Sequence, residues 1–273
     1  MTSPLPAPPC FVLINIDGGD AVAKVLPLIR DALAESCGPG SAFAHSNGDF
    51  GAEFRVATSV TDRSSGEIAI NIRQSLPEAP DAAAYHYDNA GVPDIEVGVS
   101  EFEGLIDGND AVSAGIDHEV KETLGDLGAN GWKDNGQGKV DAEEYCDKVQ
   151  NTGYAASNGV MLSNFLFPSA FIPGASGPWD YLGVMQSQDD VSNGYGIQAD
   201  SPANVGQIGG QRVMGEHVTG GRRVHAVGSL TEKQLRRKAH PWSRAYRRGL
   251  RLAKPSPAQS ATIPPPPPAP AAP

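Results

Sequence analysis

The spacing of a histidine and two acidic residues carries the clearest chemical signal in this sequence. His118 and Glu122 are four residues apart, and Asp126 follows after four more. On an α-helix this spacing places the three side chains on one face, about 6 Å apart per step. An imidazole and carboxylates that converge from successive turns can bind a divalent metal ion. The spacing therefore predicts a metal site on a helix. The alternative is a solvated acidic helix face with Lys121 and Lys133 as counter-charges.

Glu119 adds a residue that could take part in catalysis. It is turned by about 100° from His118 around a helix, so it would lie beside a bound ion. A carboxylate in that position can take a proton from a water molecule that the ion activates. This is the logic of the HExxH zinc peptidases, with Glu122 in place of the second histidine. Glu119 is therefore the predicted general base.

Three side chains are candidates for a third metal ligand. His86 lies between two tyrosines in a segment that is predicted to be a loop. Asp126 continues the spacing of the helix, and Asp147 belongs to an acidic cluster with Glu143 and Glu144. The sequence leaves the choice open among His86, Asp126 and Asp147. Zinc (Zn2+) is the expected ion, and another divalent cation is the alternative, because carboxylates also suit harder ions.

The elements that must hold these residues follow from the hydrophobic pattern. β-rich runs predict strands at 10–16, 54–57, 67–72 and 95–99. A helix is predicted over 21–35, with Asp20 as its N-cap. The motif itself falls on a helix predicted over 111–127, capped by Asp110. One apolar stripe marks the face of this helix that packs on the core: Ala111, Val112, Ile116, Val120 and Leu124. The pattern predicts an α+β fold with a mixed β-sheet.

Charge divides the chain into an acidic body and a basic tail. Residues 212–273 hold 12 of the 21 Lys and Arg and 2 of the 32 Asp and Glu, so they carry +10 while the rest carries −21. In the basic segment, 222–254, Trp242 and Tyr246 are interleaved with cations, which suits contact with the phosphates and bases of DNA. Docking on an acidic protein surface is the equal alternative.

Composition predicts the remaining segments. Residues 1–9 are expected to be a flexible N-terminus, 186–221 an irregular, turn-rich segment, and 255–273, mostly Pro, Ala and Ser, a disordered tail.

Other chemistries lack the residues they need. The three cysteines, at 10, 37 and 146, are scattered and form no CxxC pair, so reduced thiols are expected. The sequence contains no Gly-x-Ser-x-Gly elbow and no phosphate-binding loop. A partial EF-hand pattern at 135–144 would need Lys133 as its first calcium ligand, which a cation cannot be. The apolar run at 10–16 is too short for a signal peptide or a membrane span. Synthesis in the cytoplasm without membrane insertion is expected.

Four segments together resemble a known family: Tyr85-His86, Ile116-Asp-His-Glu-Val-Lys-Glu-Thr-Leu-Gly-Asp126, Glu144-Tyr-Cys-Asp147 and Gly159-Val-Met-Leu-Ser-Asn-Phe-Leu-Phe-Pro168. They are similar to uncharacterised bacteriophage and bacterial proteins with an upstream histidine, a Ser-His-Glu-x-x-Glu-x-x-x-Asp helix, a Cys-Asp step and a Ser-Asp-Phe-x-x-Pro segment. The similarity covers 10–185 and is strongest over 85–168. This chain has Asp117 where the family has serine, Asn164 where it has aspartate, and Gly125 before Asp126.

The resemblance implies a zincin-like α+β domain over 10–185, with the motif on its metal-site helix. It also implies a function. The first choice is a metal-dependent hydrolase of peptidase type from a phage-related setting, with a peptide or protein substrate. The alternative is a non-catalytic virion or structural protein that keeps the site for stability. In either case virion subunits or DNA would be the contacts of the basic tail, and association with a virion is an expectation.

Overall fold

A five-stranded mixed β-sheet forms the framework of the first half of the chain. The computed structural model describes residues 7–79, 82–89, 92–126, 132–134, 139–172, 174–188, 190, 198–200, 212–216 and 223–227. The sheet consists of β1 (Cys10–Asn15), β2 (Glu53–Val56), β3 (Ile68–Arg73), β4 (Ala84–Asn89) and β5 (Val92–Gly98). Their order is β2-β1-β3-β5-β4. In this order, β2, β1, β3 and β5 pair in parallel, and β4 pairs antiparallel with β5 at one edge of the sheet. The predicted mixed sheet is therefore confirmed.

Two longer helices cover one face of this sheet. They are α1 (Asp20–Cys37) and α3 (Val112–Gly125), and the short α2 (Ala42–Ser46) follows α1. The interior strand β1 is buried on both faces, as its continuous apolar run requires. Phe11 and Ile70 join the main core beneath α1 and α3, whereas Val12 and Ala69 belong to a small cluster of their own. Only the strand residues on the helix side of the sheet can therefore contact α3.

The helix that carries the motif is buried almost all round. Its apolar stripe, from Val112 to Leu124, is part of the main core, as predicted. Between these two residues only Gly115 and His118 are not fully buried. Glu119 and Glu122 are 7% and 1% exposed, and Lys121 is 0% exposed. The alternative of a solvated acidic helix face is therefore wrong.

The helix begins without the side-chain cap that the sequence predicted. Asp110 is not the cap; Ala111, with extended backbone, precedes the first turn. The amides of Val112 and Ser113 donate to the carbonyls of Gly104 and Leu105 at 2.9 and 3.0 Å. Since the preceding loop satisfies these donors, no side chain is needed there. Asp20, the predicted N-cap of α1, is likewise the first residue of that helix, and Gly19 precedes it as the cap.

The segment around His86 is a strand rather than the predicted loop. β4 pairs with β5 in a register that places His86 opposite Ile95. The tyrosines on both sides of His86 favour an extended strand, and the prolines that suggested a loop lie outside β4. Directly opposite residues of an antiparallel pair point to the same face. Because Ile95 lies in the main core, His86 points toward the helix layer.

Short strands joined by turns and irregular segments follow in the described remainder of the chain. β6 (Trp132–Asp134), β7 (Lys139–Ala142) and β10 (Gln198–Asp200) form a three-stranded sheet in the order β10-β7-β6. β8 (Gly153–Ala155) pairs with β9 (Met161–Ser163), and β9 contacts α3. β11 (Arg212–Glu216) pairs with β12 (Arg223–Val227), so strands occur in the segments predicted to be irregular and basic. The predicted tail at 255–273 lies outside the described residues. None of the described helices has the length and apolar character needed to span a bilayer.

Candidate metal centre

Three separate parts of the fold bring histidines and acids to one place. The helix α3 supplies His118, Glu119 and Glu122 from two successive turns. The edge strand β4, which contacts α3, supplies His86. The segment after β7 supplies Asp147, at the start of a 3-10 turn that runs from Asp147 to Val149. The site therefore depends on tertiary packing and not on the helix alone.

The spacing around His118 fits the coordination sphere of one metal ion. His118 Nε2 lies 3.2 Å from Glu122 Oε1 and 3.3 Å from Asp147 Oδ1. Ligands at about 2.0–2.2 Å from a tetrahedral ion are separated by about 3.3–3.6 Å. The Cys146 amide also donates to Glu122 Oε1 at 3.2 Å, which holds this carboxylate in place. Each of these two carboxylates thus lies at ligand spacing from the same imidazole nitrogen.

A second set of contacts surrounds His86. Its Nδ1 lies 2.8 Å from Glu119 Oε2 and 3.8 Å from Glu122 Oε2. Its Nε2 lies 4.0 Å from Glu144 Oε2. Ligand atoms of His86, Glu122 and Glu144 all lie within 4.8 Å of one another, and the same holds for His118, Glu119 and Glu122. Glu122 belongs to both groups.

Burial and charge act in opposite directions on the two imidazoles. Burial tends to lower the pKa of His86, but the hydrogen bond to Glu119 and the charges of Glu144 and Glu119 outweigh it and raise the pKa to about 10. His118 behaves alike: burial lowers its pKa, while Glu122 and Asp147 raise it well above the usual range. The pKa of Glu144 is raised by burial and by the charge of Glu122. This excess of buried carboxylate favours a bound cation.

A cleft leads from the surface to this cluster. Its volume is about 440 Å³, and it is lined by His118, Glu119 and Asp147 together with Ala83, Ala84 and Phe102. Gly115 forms part of the wall where the Phe102 ring packs on the helix; a Cβ there would lie 2.4 Å from the ring. A small molecule or an extended chain could therefore approach His118 and Glu119 directly.

Five of the six predicted site residues are joined here by short contacts between their side chains. His86, His118, Glu119, Glu122 and Asp147 come together, which the sequence could only propose. Asp126 and Asp147 both lie outside the two candidate ligand groups, but Asp147 Oδ1 contacts His118 Nε2 at 3.3 Å, whereas Asp126 acts on Glu144 through its charge. Asp126 is the C-cap of α3, with φ −138° and ψ 82°, so it no longer continues the helical face.

Glu144 is the site residue that the sequence did not single out. It belongs to the predicted acidic cluster and begins the Glu144-Tyr-Cys-Asp147 segment of the resemblance, and its place three residues before Asp147 is the useful signal. The ring of Tyr145, between them, packs on Gly125, where a Cβ would lie 2.5 Å from the ring. Gly125 therefore permits the close approach of the 143–147 segment to the end of α3.

Comparison of the chain with models of protein families, with curated proteins and with solved structures finds no match. The resemblance to phage and bacterial proteins stays a prediction.

Proposed function

We propose that the protein is a metal-dependent hydrolase of peptidase type, with zinc as the expected ion. His118, Glu122 and Asp147 are the ligands, and Glu119 is the general base. The observation that carries this proposal is the spacing of 3.2 and 3.3 Å from His118 Nε2 to two carboxylates, at the inner end of an open cleft. The nitrogen and oxygen donors suit zinc.

Glu119 has the position that a general base requires. It lines the cleft beside His118, and His86 Nδ1 holds its Oε2 at 2.8 Å. Zinc supplies Lewis acidity, which polarises a carbonyl group and makes a water molecule more acidic. Glu119 accepts the proton of the attacking water and can pass it to the leaving group. His86 acts as the positioning residue that fixes the carboxylate.

The edge strand supports a peptide as the substrate. β4 is the edge of the described five-stranded sheet, and Ala83 and Ala84, at its start, line the same cleft as Glu119. An extended peptide can add to such an edge through main-chain hydrogen bonds. A strand-rich half followed by a motif helix packed near that edge also supports the zincin-like arrangement that the resemblance implies.

A structural metal site is the second candidate. The cluster contains twice as many carboxylates as imidazoles, and this donor set also suits harder cations that only stabilise a fold. In that case the protein would be a non-catalytic component, such as a virion subunit, as the resemblance also allows. Hydrolysis distinguishes the two candidates, whereas metal binding alone does not.

The experiment compares wild type with His118→Ala and Glu119→Gln. We measure bound metal by mass spectrometry, thermal melting with and without chelator, and cleavage of fluorescent peptide libraries and casein. His118→Ala should lose the ion, and with it the stabilisation that binding provides, about 2.7 kcal/mol when the ion is present at a hundred times its Kd. Glu119→Gln should keep the ion and lose about two to four orders of magnitude of hydrolysis.

Glu103→Gln is the matched control, since Glu103 is exposed and lies outside the cluster. It should behave as wild type in all three measurements. Metal binding without any hydrolysis would favour the structural site. Hydrolysis that survives Glu119→Gln unchanged would contradict the assigned role of this residue.

A further inference from the structure

The two oxygens of Glu122 face different imidazoles. Oε1 lies 3.2 Å from His118 Nε2, while Oε2 lies 3.8 Å from His86 Nδ1. Glu122 is 1% exposed, and the Cys146 amide holds its Oε1. Because Glu122 belongs to both candidate ligand groups, it can serve as a bridging ligand. In two-metal sites the ions lie about 3.5–4 Å apart, within the span of such a bridge.

Two buried polar atoms on the side chains that share a ligand group with Glu122 have no hydrogen bond. They are His86 Nε2 and Glu144 Oε2, and none of the described residues bonds to either atom. The two side chains are 6% and 11% exposed, and the atoms lie 4.0 Å apart. Two ligands at about 2.0–2.2 Å from one ion can be separated by at most about 4.4 Å. One cation between them would satisfy both atoms.

The hydrogen bond on the other side of His86 prepares this nitrogen for a metal ion. Nδ1 lies 2.8 Å from Glu119 Oε2. A histidine that donates its Nδ1 proton to a carboxylate keeps the lone pair on Nε2, and this pairing is usual for metal-bound histidines. Once the ring is neutral, donation from Nδ1 to Glu119 leaves the lone pair on Nε2, which lies 4.0 Å from Glu144 Oε2.

The charge of the cluster calls for more than one dication. Four carboxylates contribute atoms to it, from Glu119, Glu122, Glu144 and Asp147, and two histidines accompany them. Metal binding requires neutral imidazoles, and in that state the four carboxylates carry −4. One divalent ion would leave −2 in a buried site, while two would balance the charge. Buried charges are tolerated when they are paired or bound to metal.

We propose that the centre binds two divalent ions, with Glu122 as the bridge. The first ion is held by His118 and Glu122 with Asp147, and the second by His86, Glu122 and Glu144. The mixed imidazole and carboxylate donors suit Zn2+ or Mn2+. This inference rests on the proposed function, since it adds an ion to the same centre.

The test measures metal stoichiometry in the full chain after removal of metal. Isothermal titration with Mn2+ should give two equivalents for wild type and for Glu103→Gln, and one for Glu144→Gln. In wild type the two bound Mn2+ ions should be spin-coupled in electron paramagnetic resonance, because they share a carboxylate. Circular dichroism checks that each variant is folded.

The outcomes separate this inference from the proposed function. A single equivalent in wild type that Glu144→Gln leaves unchanged would overturn the second site alone. No binding at all would overturn both. Two equivalents without spin coupling, or two that survive Glu144→Gln, would place the second ion elsewhere and contradict the bridge. If Glu144→Gln does not fold, the count and the coupling in wild type decide.

Discussion

A buried ion pair behind the metal centre allows a sharp prediction about stability. The Lys121 side chain is 0% exposed, and its Nζ contacts Asp117 Oδ2, one turn earlier on α3. Nζ also donates to the Ser163 carbonyl at 2.6 Å and lies 4.9 Å from the centre of the Phe165 ring. Burial tends to lower the pKa of Lys121, but the charge of Asp117 outweighs it and raises the pKa. The ammonium therefore stays charged across the neutral range.

Lys121→Met should be strongly destabilising. Methionine fills a similar volume but leaves the Asp117 carboxylate buried, with the Ser163 amide at 2.8 Å as a remaining donor. Breaking a buried pair in this way costs about 3–5 kcal/mol. Because a domain is stable by about 5–15 kcal/mol, this is a large share of the free energy of unfolding. Asp117→Asn, which leaves the ammonium unpaired, should cost a similar amount.

The double variant Lys121→Met/Asp117→Asn tests the cause. It removes both charges, so it should be more stable than either single variant. Urea unfolding followed by circular dichroism measures all three, with excess chelator present so that metal binding does not contribute. Lys24→Met, at an exposed position of α1, is the control and should change stability by less than about 0.5 kcal/mol. Two results would refute this reasoning. One is a loss of under 1 kcal/mol in the free energy of unfolding of the single variants. The other is a loss in the double variant that equals the sum of the two single losses.

Three further predictions concern other parts of the chain. Gly125→Ala should destabilise the protein by about 1–3 kcal/mol in the same urea assay, because its Cβ would meet the Tyr145 ring at 2.5 Å. Burial and the charge of Glu67 raise the pKa of Cys10 to about 11, so its alkylation at pH 8 should be about ten- to a hundredfold slower than that of a free cysteine, as mapped by mass spectrometry. Deleting 222–273 should abolish any affinity for DNA and change the melting temperature little, since the basic residues cluster there; DNA binding by the shortened chain would contradict this.

Local patterns predicted the elements of the fold better than their arrangement. Local patterns predicted β1, β2, β3 and β5 to within a few residues, because the continuous apolar run of β1 and the alternation in β2 and β3 reflect which faces of a strand are buried. β4 was missed, since it is an edge strand with polar and aromatic residues between turn signals. Its antiparallel place beside β5 follows from long-range pairing, which no local pattern contains.

The site residues also fall into two groups, those that helical spacing predicted and those that depend on tertiary packing. His118, Glu119 and Glu122 were predicted from spacing, because helical geometry relates sequence distance to direction in space. Glu144 and the choice between Asp126 and Asp147 depend on how the 143–147 segment packs on the end of α3. The buried pairing of Lys121 was also unexpected, since an isolated lysine on a helix is usually solvated.

The central claim is that His118, Glu122 and Asp147 hold a divalent ion, and metal content tests it most directly. The full chain is purified without chelator, and bound metal is counted per chain by mass spectrometry, beside His118→Ala as the control. The structure predicts at least one equivalent in wild type and a loss of one equivalent in the variant. Wild-type protein without stoichiometric metal, even after incubation with zinc or manganese, would contradict the metal centre.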